Sequence, residues 1–256
     1  MHIIGYPRAA NLKEWAYKII TKLFVRFSVK RATMVRTINP GVKDFLSEHG
    51  VDRLKIKVVP AFYIDLDIFK SQTHKKEYDI ICIGRLEKNK GFDLLVKAIS
   101  LIKVFSPGIR ALIVGDGPEF ENLKNKINEL GLNNDIVLYG WANDANEIAE
   151  LINKSKIMMI TSFNEGGPRV ALEAMACGIP VVTTRVGIMN ELIKDGENGL
   201  FIDWKDKNIA RKIWLLLEDQ VAKQKFSQAG LDIVKDFEKK KAISDYASAL
   251  KSIIKQ

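Results

Sequence analysis

Cysteine is scarce in this chain of 256 residues, since only Cys82 and Cys177 occur and each lies within an apolar stretch. Two such cysteines cannot build the disulfide framework of a small secreted protein or a thiolate metal site. Long apolar runs are also missing, because none approaches the roughly 20 residues that cross a bilayer. The N-terminus lacks the order of charged, apolar and small residues that is typical of a signal peptide. We therefore expect a soluble or at most peripheral chain in a reducing, cytoplasmic compartment.

The net charge of +9 is distributed unevenly. Residues 1–60 hold twelve Lys and Arg against four Asp and Glu, so this segment carries +8 and the remainder is nearly neutral. Such asymmetry is typical of a segment that faces nucleic acid or an anionic membrane. No nucleic-acid motif accompanies the charge, so we predict no nucleic-acid partner and favour a membrane surface. The remaining composition, 47% hydrophobic and 28% charged, indicates a globular core and excludes a disordered chain.

Part of this basic charge lies on a predicted helix over residues 11–32. Its apolar positions recur every four residues and its basic positions follow a second stripe: Trp15, Ile19, Leu23 and Phe27, then Lys18, Lys22, Arg26 and Lys30. One interpretation is an interfacial helix on anionic lipid at the inner face of the plasma membrane. The other is an ordinary amphipathic helix that packs on a sheet and exposes its basic side to solvent.

From about residue 78 onward, short β-rich runs alternate with amphipathic helical patterns. The predicted strands are Asp79–Gly84, Ala111–Gly115, Ile136–Tyr139, Ile157–Thr161, Pro180–Thr183 and Gly199–Ile202. Predicted helices lie between and after them: Phe92–Val104, Glu119–Leu130, Ala145–Lys154, Pro168–Ala176, Ile188–Ile193, Lys205–Leu217, Val221–Val234 and Phe237–Ile254. This alternation predicts an α/β fold with a doubly wound parallel sheet, and the uninterrupted apolar runs predict strands covered on both faces.

The first 60 residues resemble the end of a second α/β domain. They contain two strand candidates, in ATMVRTIN and IKVVP, around a helix candidate at Val42–Glu48. We therefore predict three parts. Residues 1–60 are a remnant of an N-terminal domain, residues 61–235 form a complete Rossmann-like domain, and residues 236–256 form a C-terminal helix that packs back towards the N-terminal portion.

The stretch Glu165 to Pro180 carries the most information about chemistry. It follows a predicted strand with a Gly-Gly turn and opens a helix, and this is where open α/β sheets bind ligands and where free N–H groups favour anions. Glu165 and Glu173 are eight residues apart, about 12 Å along a continuous helix. This spacing exceeds the separation of glycosidase carboxyl pairs, so they are not a hydrolytic dyad. Two separated carboxylates suit a long ligand rich in hydroxyl groups, although Glu173 alone is equally consistent with a solvated helix residue.

Two further loops follow predicted strands. Gly84 allows a tight turn, and Arg85 and Lys90 place two cations beside it, which suits a diphosphate but is also common on surfaces. The second loop, Val114 to Pro118, lacks the third glycine of a dinucleotide fingerprint, so a nicotinamide cofactor is disfavoured.

With these three stretches in order, the sequence resembles the retaining GT-B glycosyltransferases of group 1, or family 4. GRLEKNKG is similar to that family's GR-L-x-x-x-KG motif, VGDGP to its V-G-x-G-P turn, and EGGPRVALEAMACGIPVV to its E-x7-E segment and the following G-x-P-V-V. The similarity covers about residues 33–220. It implies a GT-B fold with a complete donor-binding domain and a truncated N-terminal, acceptor-binding domain.

The resemblance also implies roles for individual residues. The implied catalytic residues are Arg85, Lys90 and Glu165, and the implied donor-binding residues are Gly84, Gly115, Gly117, Trp141, Gly166, Gly167 and Glu173. In such a family the two cations bind the diphosphate and stabilise the departing phosphate, Glu165 and the Gly-Gly turn hold the donor sugar, and Glu173 accepts hydrogen bonds from the ribose. No metal or other cofactor is implied, because the chain has no Asp-x-Asp arrangement suited to a metal-held diphosphate.

The implied function is transfer of a sugar from a UDP-linked or GDP-linked donor to a polysaccharide or glycolipid acceptor, with retention of configuration. An alternative is a non-catalytic nucleotide-sugar-binding subunit or remnant that needs a separate N-terminal domain chain, since most of that domain is expected to be absent. Two further features depart from the family's pattern. The usual junction before the donor domain is replaced by residues 60–65, and the N-domain histidine is matched only by His2, which is also consistent with a frayed bystander.

Overall fold

A computed structural model describes residues 19–20, 23, 27–29, 31–37, 40–48, 50–59, 62–167 and 169–254. Between positions 19 and 31, the residues described are all helical. Ala32, the last residue of the predicted basic helix, is described and is not helical. The rest of that helix, including Trp15, lies outside the described residues, as does His2.

The strands within the described ranges form two parallel sheets. They are β1 (Val35–Thr37), β2 (Ile56–Val58), β3 (Tyr78–Ile83), β4 (Ala111–Val114), β5 (Ile136–Gly140), β6 (Ser155–Ile160), β7 (Val181–Thr184) and β8 (Leu200–Ile202). The first two pair with each other. The other six form one sheet in the order β5-β4-β3-β6-β7-β8. The chain runs outward from β3 through β4 to β5 and then returns to place β6 on the other side of β3. This reversal of the strand order creates a crevice at the carboxyl ends of β3 and β6.

Helices connect these strands and cover both faces of the larger sheet. They are α1 (Pro40–Glu48), α2 (Phe92–Ile102), α3 (Phe120–Glu129), α4 (Ala145–Asn153), α5 (Arg169–Ala176), α6 (Met189–Leu192), α7 (Asp206–Glu218), α8 (Gln220–Val234) and α9 (Lys239–Ile254). Local chemistry explains several helix starts. Pro40 suits a first helical position, and the Asp144 carboxylate accepts the N–H groups of Asn146 and Glu147 at the start of α4.

The core of the larger sheet consists of two apolar layers, one on each face, and a smaller apolar cluster around Leu46 and Ile56 lies beside β1 and β2. Successive residues of β3 enter different layers: Ile81 packs with Leu172 of α5, and Ile80 packs with Leu95 of α2 and Ile213 of α7. Both layers are needed because the strands are apolar on both faces. The predicted α/β class with a parallel sheet is confirmed, and the predicted elements from residue 78 onward differ from the observed bounds by at most two residues.

Both cysteines lie in these layers, with Cys82 only 3% and Cys177 only 2% exposed. Neither forms a disulfide. Burial raises the pKa of each thiol to about 12, because an apolar surrounding disfavours the thiolate. At neutral pH both are therefore protonated thiols that act as small apolar core residues.

The C-terminal helix contacts the segment that precedes the larger sheet. The Ile64 N–H donates to the Phe237 carbonyl at 2.8 Å, and the Lys239 N–H donates back to the Ile64 carbonyl at 3.0 Å. Further along α9, the ring of Tyr246 lies under the guanidinium of Arg36 in β1, 4.7 Å from it. The start of α9 thus contacts the segment that precedes β3, and its middle contacts β1 of the smaller sheet. The predicted division at residues 60 and 235 stays a prediction.

Candidate functional site

The candidate site lies at the carboxyl ends of β3 and β6, where the strand order reverses. Lys90 stands in a 3-10 turn, Lys88–Lys90, shortly after β3, and Glu165 follows β6. Hydrogen bonds join these two loops: the Thr161 hydroxyl donates to the Lys90 carbonyl at 2.8 Å, and the Phe163 N–H donates to the Asn89 carbonyl at 2.8 Å. The loops carrying the two charged residues therefore form one connected surface.

Lys90 and Glu165 are in direct contact as an ion pair, Nζ to Oε1. The Ser162 hydroxyl donates to the same carboxylate oxygen at 3.0 Å. The side chains of Lys90 and Glu165 are 23% and 16% exposed, so the pair is partly shielded from water but remains accessible to a ligand. Shielding strengthens its electrostatic interactions relative to those of an open surface pair.

The ion pair lines a cavity of about 130 Å³. Its walls include Gly84, Lys90, Glu165, Gly167 and Arg169. Cavities for whole small molecules usually measure about 300–1,000 Å³. This cavity is smaller, so it suits one group of a ligand whose remainder lies along the open edge of the sheet.

Glu173 lies on α5, is only 6% exposed, and pairs with Arg169 one helical turn earlier, with 3.2 Å between Oε1 and Nε. The interpretation of Glu173 as a solvated helix residue is therefore wrong. Burial raises the pKa of this carboxyl above its usual value, and the positive charge of Arg169 opposes that rise. The Arg169 guanidinium in turn lies over the ring of Tyr63, 5.3 Å from its centre.

The other predicted charged and aromatic residues are more exposed. The Arg85 side chain is 68% exposed and pairs with Glu87, 3.1 Å away. It is not among the residues that line the cavity around Lys90. Trp141, directly after β5, is 70% exposed on the flank of the sheet.

Gly115 and Gly117 lie where backbones approach closely, whereas a Cβ on Gly84 would meet nothing nearer than the Phe92 ring at 3.8 Å. A Cβ on Gly115, which has φ +139°, would lie 2.0 Å from the Gly84 carbonyl oxygen, and a Cβ on Gly117 would lie 2.6 Å from the Leu86 oxygen. The loops after β3 and β4 are thus packed backbone against backbone. A Cβ on Gly167 would lie 2.3 Å from the ring of Phe62, so the segment before β3 covers the Gly-Gly turn.

Several contributors to the site were missed from the sequence. Arg169 had a usable signal, its i,i+4 spacing to Glu173. The contacts of Ser162 and Phe62 had none, since they depend on how distant loops meet. Gly187, after β7, packs against the carbonyl oxygens of Glu165 and Gly166, where a Cβ would lie 2.6 Å and 2.4 Å from them. Pro168 lies outside the described residues.

Within the described ranges, no group of three or more His, Cys, Asp or Glu side chains is arranged to hold a metal ion. Asp65 and Asp67 have the Asp-x-Asp spacing, but the Asp65 carboxylate pairs with Lys239 of α9 at 2.9 Å. Over the same ranges, no helix combines the length and the apolar character that crossing a membrane requires.

Comparison with known sequences gives consistent matches. The sequence model of the family described as "Glycosyl transferases group 1" matches residues 64–232. The lipopolysaccharide core biosynthesis glycosyltransferase LpsE of Rhizobium meliloti is 28% identical over 251 residues, covering 93% of this chain and 72% of LpsE. The N-acetyl-alpha-D-glucosaminyl L-malate synthase of Bacillus anthracis is 27% identical, covering 90% of this chain and 62% of that protein. A D-inositol 3-phosphate glycosyltransferase of Paenarthrobacter aurescens is 31% identical, covering 67% of this chain and 45% of that protein.

Solved structures agree on the fold. Anabaena Alr3699/HepE in complex with UDP and glucose superposes with a TM-score of 0.79 at 21% identity, over 92% of this chain and 68% of HepE. Sucrose-phosphate synthase from Thermosynechococcus elongatus gives 0.85 at 20% identity, over 99% and 66%. The C-terminal domain of LpcC from Francisella tularensis gives 0.62 at 28% identity, over 67% of this chain and 96% of that domain.

Proposed function

Because this chain belongs to the glycosyl transferases group 1 family, we propose that it transfers a sugar from a nucleotide-sugar donor to a polysaccharide or glycolipid acceptor, with retention of configuration. The observation that carries the proposal is the contact between Lys90 and Glu165 in a cavity beside Gly84, where the strand order reverses. The reacting bond of a nucleotide sugar joins a phosphate to a sugar. A cation and a carboxylate side by side suit these two parts, because the cation can bind the phosphate and the carboxylate can bind the sugar.

Lys90 and Glu165 satisfy each other's charge in their ion pair. A bound donor replaces this contact: its phosphate oxygens accept hydrogen bonds from the Lys90 ammonium, and its sugar hydroxyls donate to the Glu165 carboxylate. Ser162 holds the carboxylate through the other hydrogen bond to Oε1. The site thus exchanges one internal ion pair for two interactions with the donor.

In the proposed step, the bond between the anomeric carbon and the phosphate oxygen breaks, and its electron pair leaves with the diphosphate. The acceptor hydroxyl oxygen bonds to the anomeric carbon on the same face, and its proton passes to the departing phosphate. Lys90 stabilises the negative charge that develops on this phosphate because its ammonium is already in place. The exposed Arg85 serves as a second cation after it leaves Glu87 for the diphosphate.

The nucleoside lies, in this proposal, towards β4 and β5. Glu173 accepts hydrogen bonds from the ribose, the loop of Gly115 and Gly117 lets the backbone approach the nucleotide, and Trp141 lies near the base. A UDP-linked or GDP-linked donor is proposed. The solved complexes of HepE with UDP and glucose, and of pneumococcal GtfA with UDP and GlcNAc, support the first of these. We further propose a cytoplasmic chain that is peripheral to the membrane, supported by the basic segment 1–60.

Calorimetric titration with UDP and GDP tests the proposal. We expect one of the two nucleotides to bind and Lys90→Ala to weaken it about tenfold or more, because a charge-assisted hydrogen bond of roughly 1.5–3 kcal/mol is lost. Lys88→Ala is the matched control, since it removes the same charge from an exposed position in the same turn. Failure of both nucleotides to bind, or equal losses in the two variants, overturns the proposal.

A further inference from the structure

Two aromatic rings stack beside the candidate site, on the side of β8. The centres of the Phe163 and Trp204 rings are 6.0 Å apart and their planes differ by 13°. Phe163 is 43% exposed, and Trp204 is partly exposed. This offset geometry is a favourable arrangement for an aromatic pair, and the Phe163 ring remains exposed to solvent. We call this pair the aromatic platform.

Hydrogen bonds hold the platform to the loops that carry the ion pair. The Trp204 indole N–H donates to the Ser162 carbonyl at 3.2 Å, and the same serine's hydroxyl contacts Glu165. The Phe163 N–H donates to the Asn89 carbonyl, next to Lys90. The platform is therefore fixed relative to Lys90 and Glu165.

An open cavity of about 500 Å³ adjoins the platform and is lined by Leu94, Trp204 and residues 205–208. This volume is within the range of small-molecule sites. The lining offers ammonium groups at Lys205 and Lys207 and a carboxylate at Asp206. Asn208 completes the lining. An aromatic surface fringed by donors and acceptors matches a pyranose ring, which has an apolar C–H face and a rim of hydroxyl groups.

The strand order gives this cavity its place along the edge of the sheet. Gly115 and Trp141 follow β4 and β5 on one flank, Lys90 and Glu165 follow β3 and β6 at the centre, and Trp204 follows β8 on the other flank. A donor with its base at the first flank and its sugar at Glu165 points that sugar towards the platform. We propose that the aromatic platform and its cavity bind a sugar ring of the acceptor glycan. This inference rests on the proposed function.

Fluorine NMR of the full chain containing 5-fluorotryptophan tests this inference directly. The four tryptophans give separate signals, and Trp204→Phe assigns the one of interest. The probes are methyl α-glycosides of glucose, galactose and mannose, and N-acetylglucosamine, each added to about 50 mM with UDP present, which nearly saturates a site of millimolar affinity. We expect at least one probe to move the Trp204 signal saturably. No movement with any probe, or equal movement of all four signals, overturns the inference.

A pair of variants separates this inference from the proposed function. Trp204→Ala is expected to weaken binding of the responsive sugar about tenfold, because an aromatic contact is lost, while UDP binds within about twofold of wild type. Trp214→Ala is the control, since Trp214 is also partly exposed but pairs with Phe105 instead. If wild type binds neither UDP nor GDP, the proposed function fails. If UDP or GDP binds and Trp204→Ala leaves sugar affinity unchanged, the inference alone fails.

Discussion

Glu173 is a buried carboxyl group with one neighbouring cation, Arg169, and its protonation controls what it can accept. Burial raises its pKa above the usual 4.5, so ionising it becomes unfavourable in the folded state. Its contribution to stability is therefore present at low pH and is lost as the pH rises through the raised pKa. The ionised form is the one that accepts ribose hydroxyl groups fully.

This chemistry predicts the pH dependence of nucleotide binding. Affinity for UDP is expected to fall as the pH drops through the raised pKa of Glu173, closer to neutrality than for an ordinary glutamate. Arg169→Ala removes the charge that opposes the rise, so the fall should begin at a higher pH. Calorimetric titration between about pH 5 and 8 measures both profiles. Glu173→Gln is the control and should lack this fall, and a profile of Arg169→Ala that coincides with wild type would contradict the assignment.

Gly115 allows the loops after β3 and β4 to meet. Its φ is +139°, and a methyl carbon added there would lie 2.0 Å from the Gly84 oxygen, so Gly115→Ala must displace backbone. We expect the free energy of unfolding to fall by about 1–3 kcal/mol. Urea denaturation measures the loss. Gly108→Ala is the control because nothing lies within 4 Å of its added carbon, and a similar loss in both variants would contradict the steric explanation.

Individual residues were predictable where their position follows from the strand pattern. Lys90 and Glu165 come after strands that the apolar runs identify, and parallel strands bring their carboxyl ends to one edge. The difference between Lys90 and Arg85 was not predictable. Both are cations of one loop, and the 3-10 turn at Lys88–Lys90 and the carboxylate of Glu87 decide which of them lines the cavity.

Among the elements, the helical residues between 19 and 31 expose apolar side chains. Ile20, Leu23 and Phe27 are 63%, 65% and 62% exposed, and positions 23 and 27 share one helix face. Val29 of the same segment packs against the apolar cluster around Leu46 beside the smaller sheet, so the segment contacts the fold at one position and exposes apolar side chains at others. The interfacial helix therefore stays a prediction.

This exposure predicts binding to anionic membranes. We expect the chain to co-sediment with vesicles containing phosphatidylglycerol and not with pure phosphatidylcholine, because both charge and apolar insertion contribute. Leu23→Glu combined with Phe27→Glu should abolish co-sedimentation. Leu54→Glu is the control, since Leu54 is 84% exposed outside this helix. Equal co-sedimentation with vesicles that contain phosphatidylglycerol and with vesicles that lack it would refute the prediction.

Elements were largely predictable because the runs of β3, β4 and β6 are apolar on both faces and the intervening helices are amphipathic. The contact of α9 with Ile64 was predictable only in outline. A parallel β-bridge joins Ile64 to Glu238, just before α9, although the two residues are far apart in the chain. No local sequence pattern specifies which residues form this bridge.

At the scale of the whole molecule, the proposed use of fixed cations predicts indifference to divalent metal. UDP affinity should agree within about twofold in EDTA and in Mg²⁺, because the Lys90 ammonium already supplies positive charge to the diphosphate. Titrations in the two buffers, with Lys90→Ala in parallel, measure this. A tenfold gain on adding Mg²⁺ to wild type would show that the protein cation is insufficient.

The two buried thiols have a practical consequence for following motion. With pKa values of about 12 and almost no exposure, Cys82 and Cys177 are unreactive towards maleimide dyes at neutral pH. Surface cysteines introduced in α9 and near β5 would then accept fluorophores selectively, with both native thiols left in place. Single-molecule energy transfer between the dyes would report how the distance between these sites changes when a nucleotide is added.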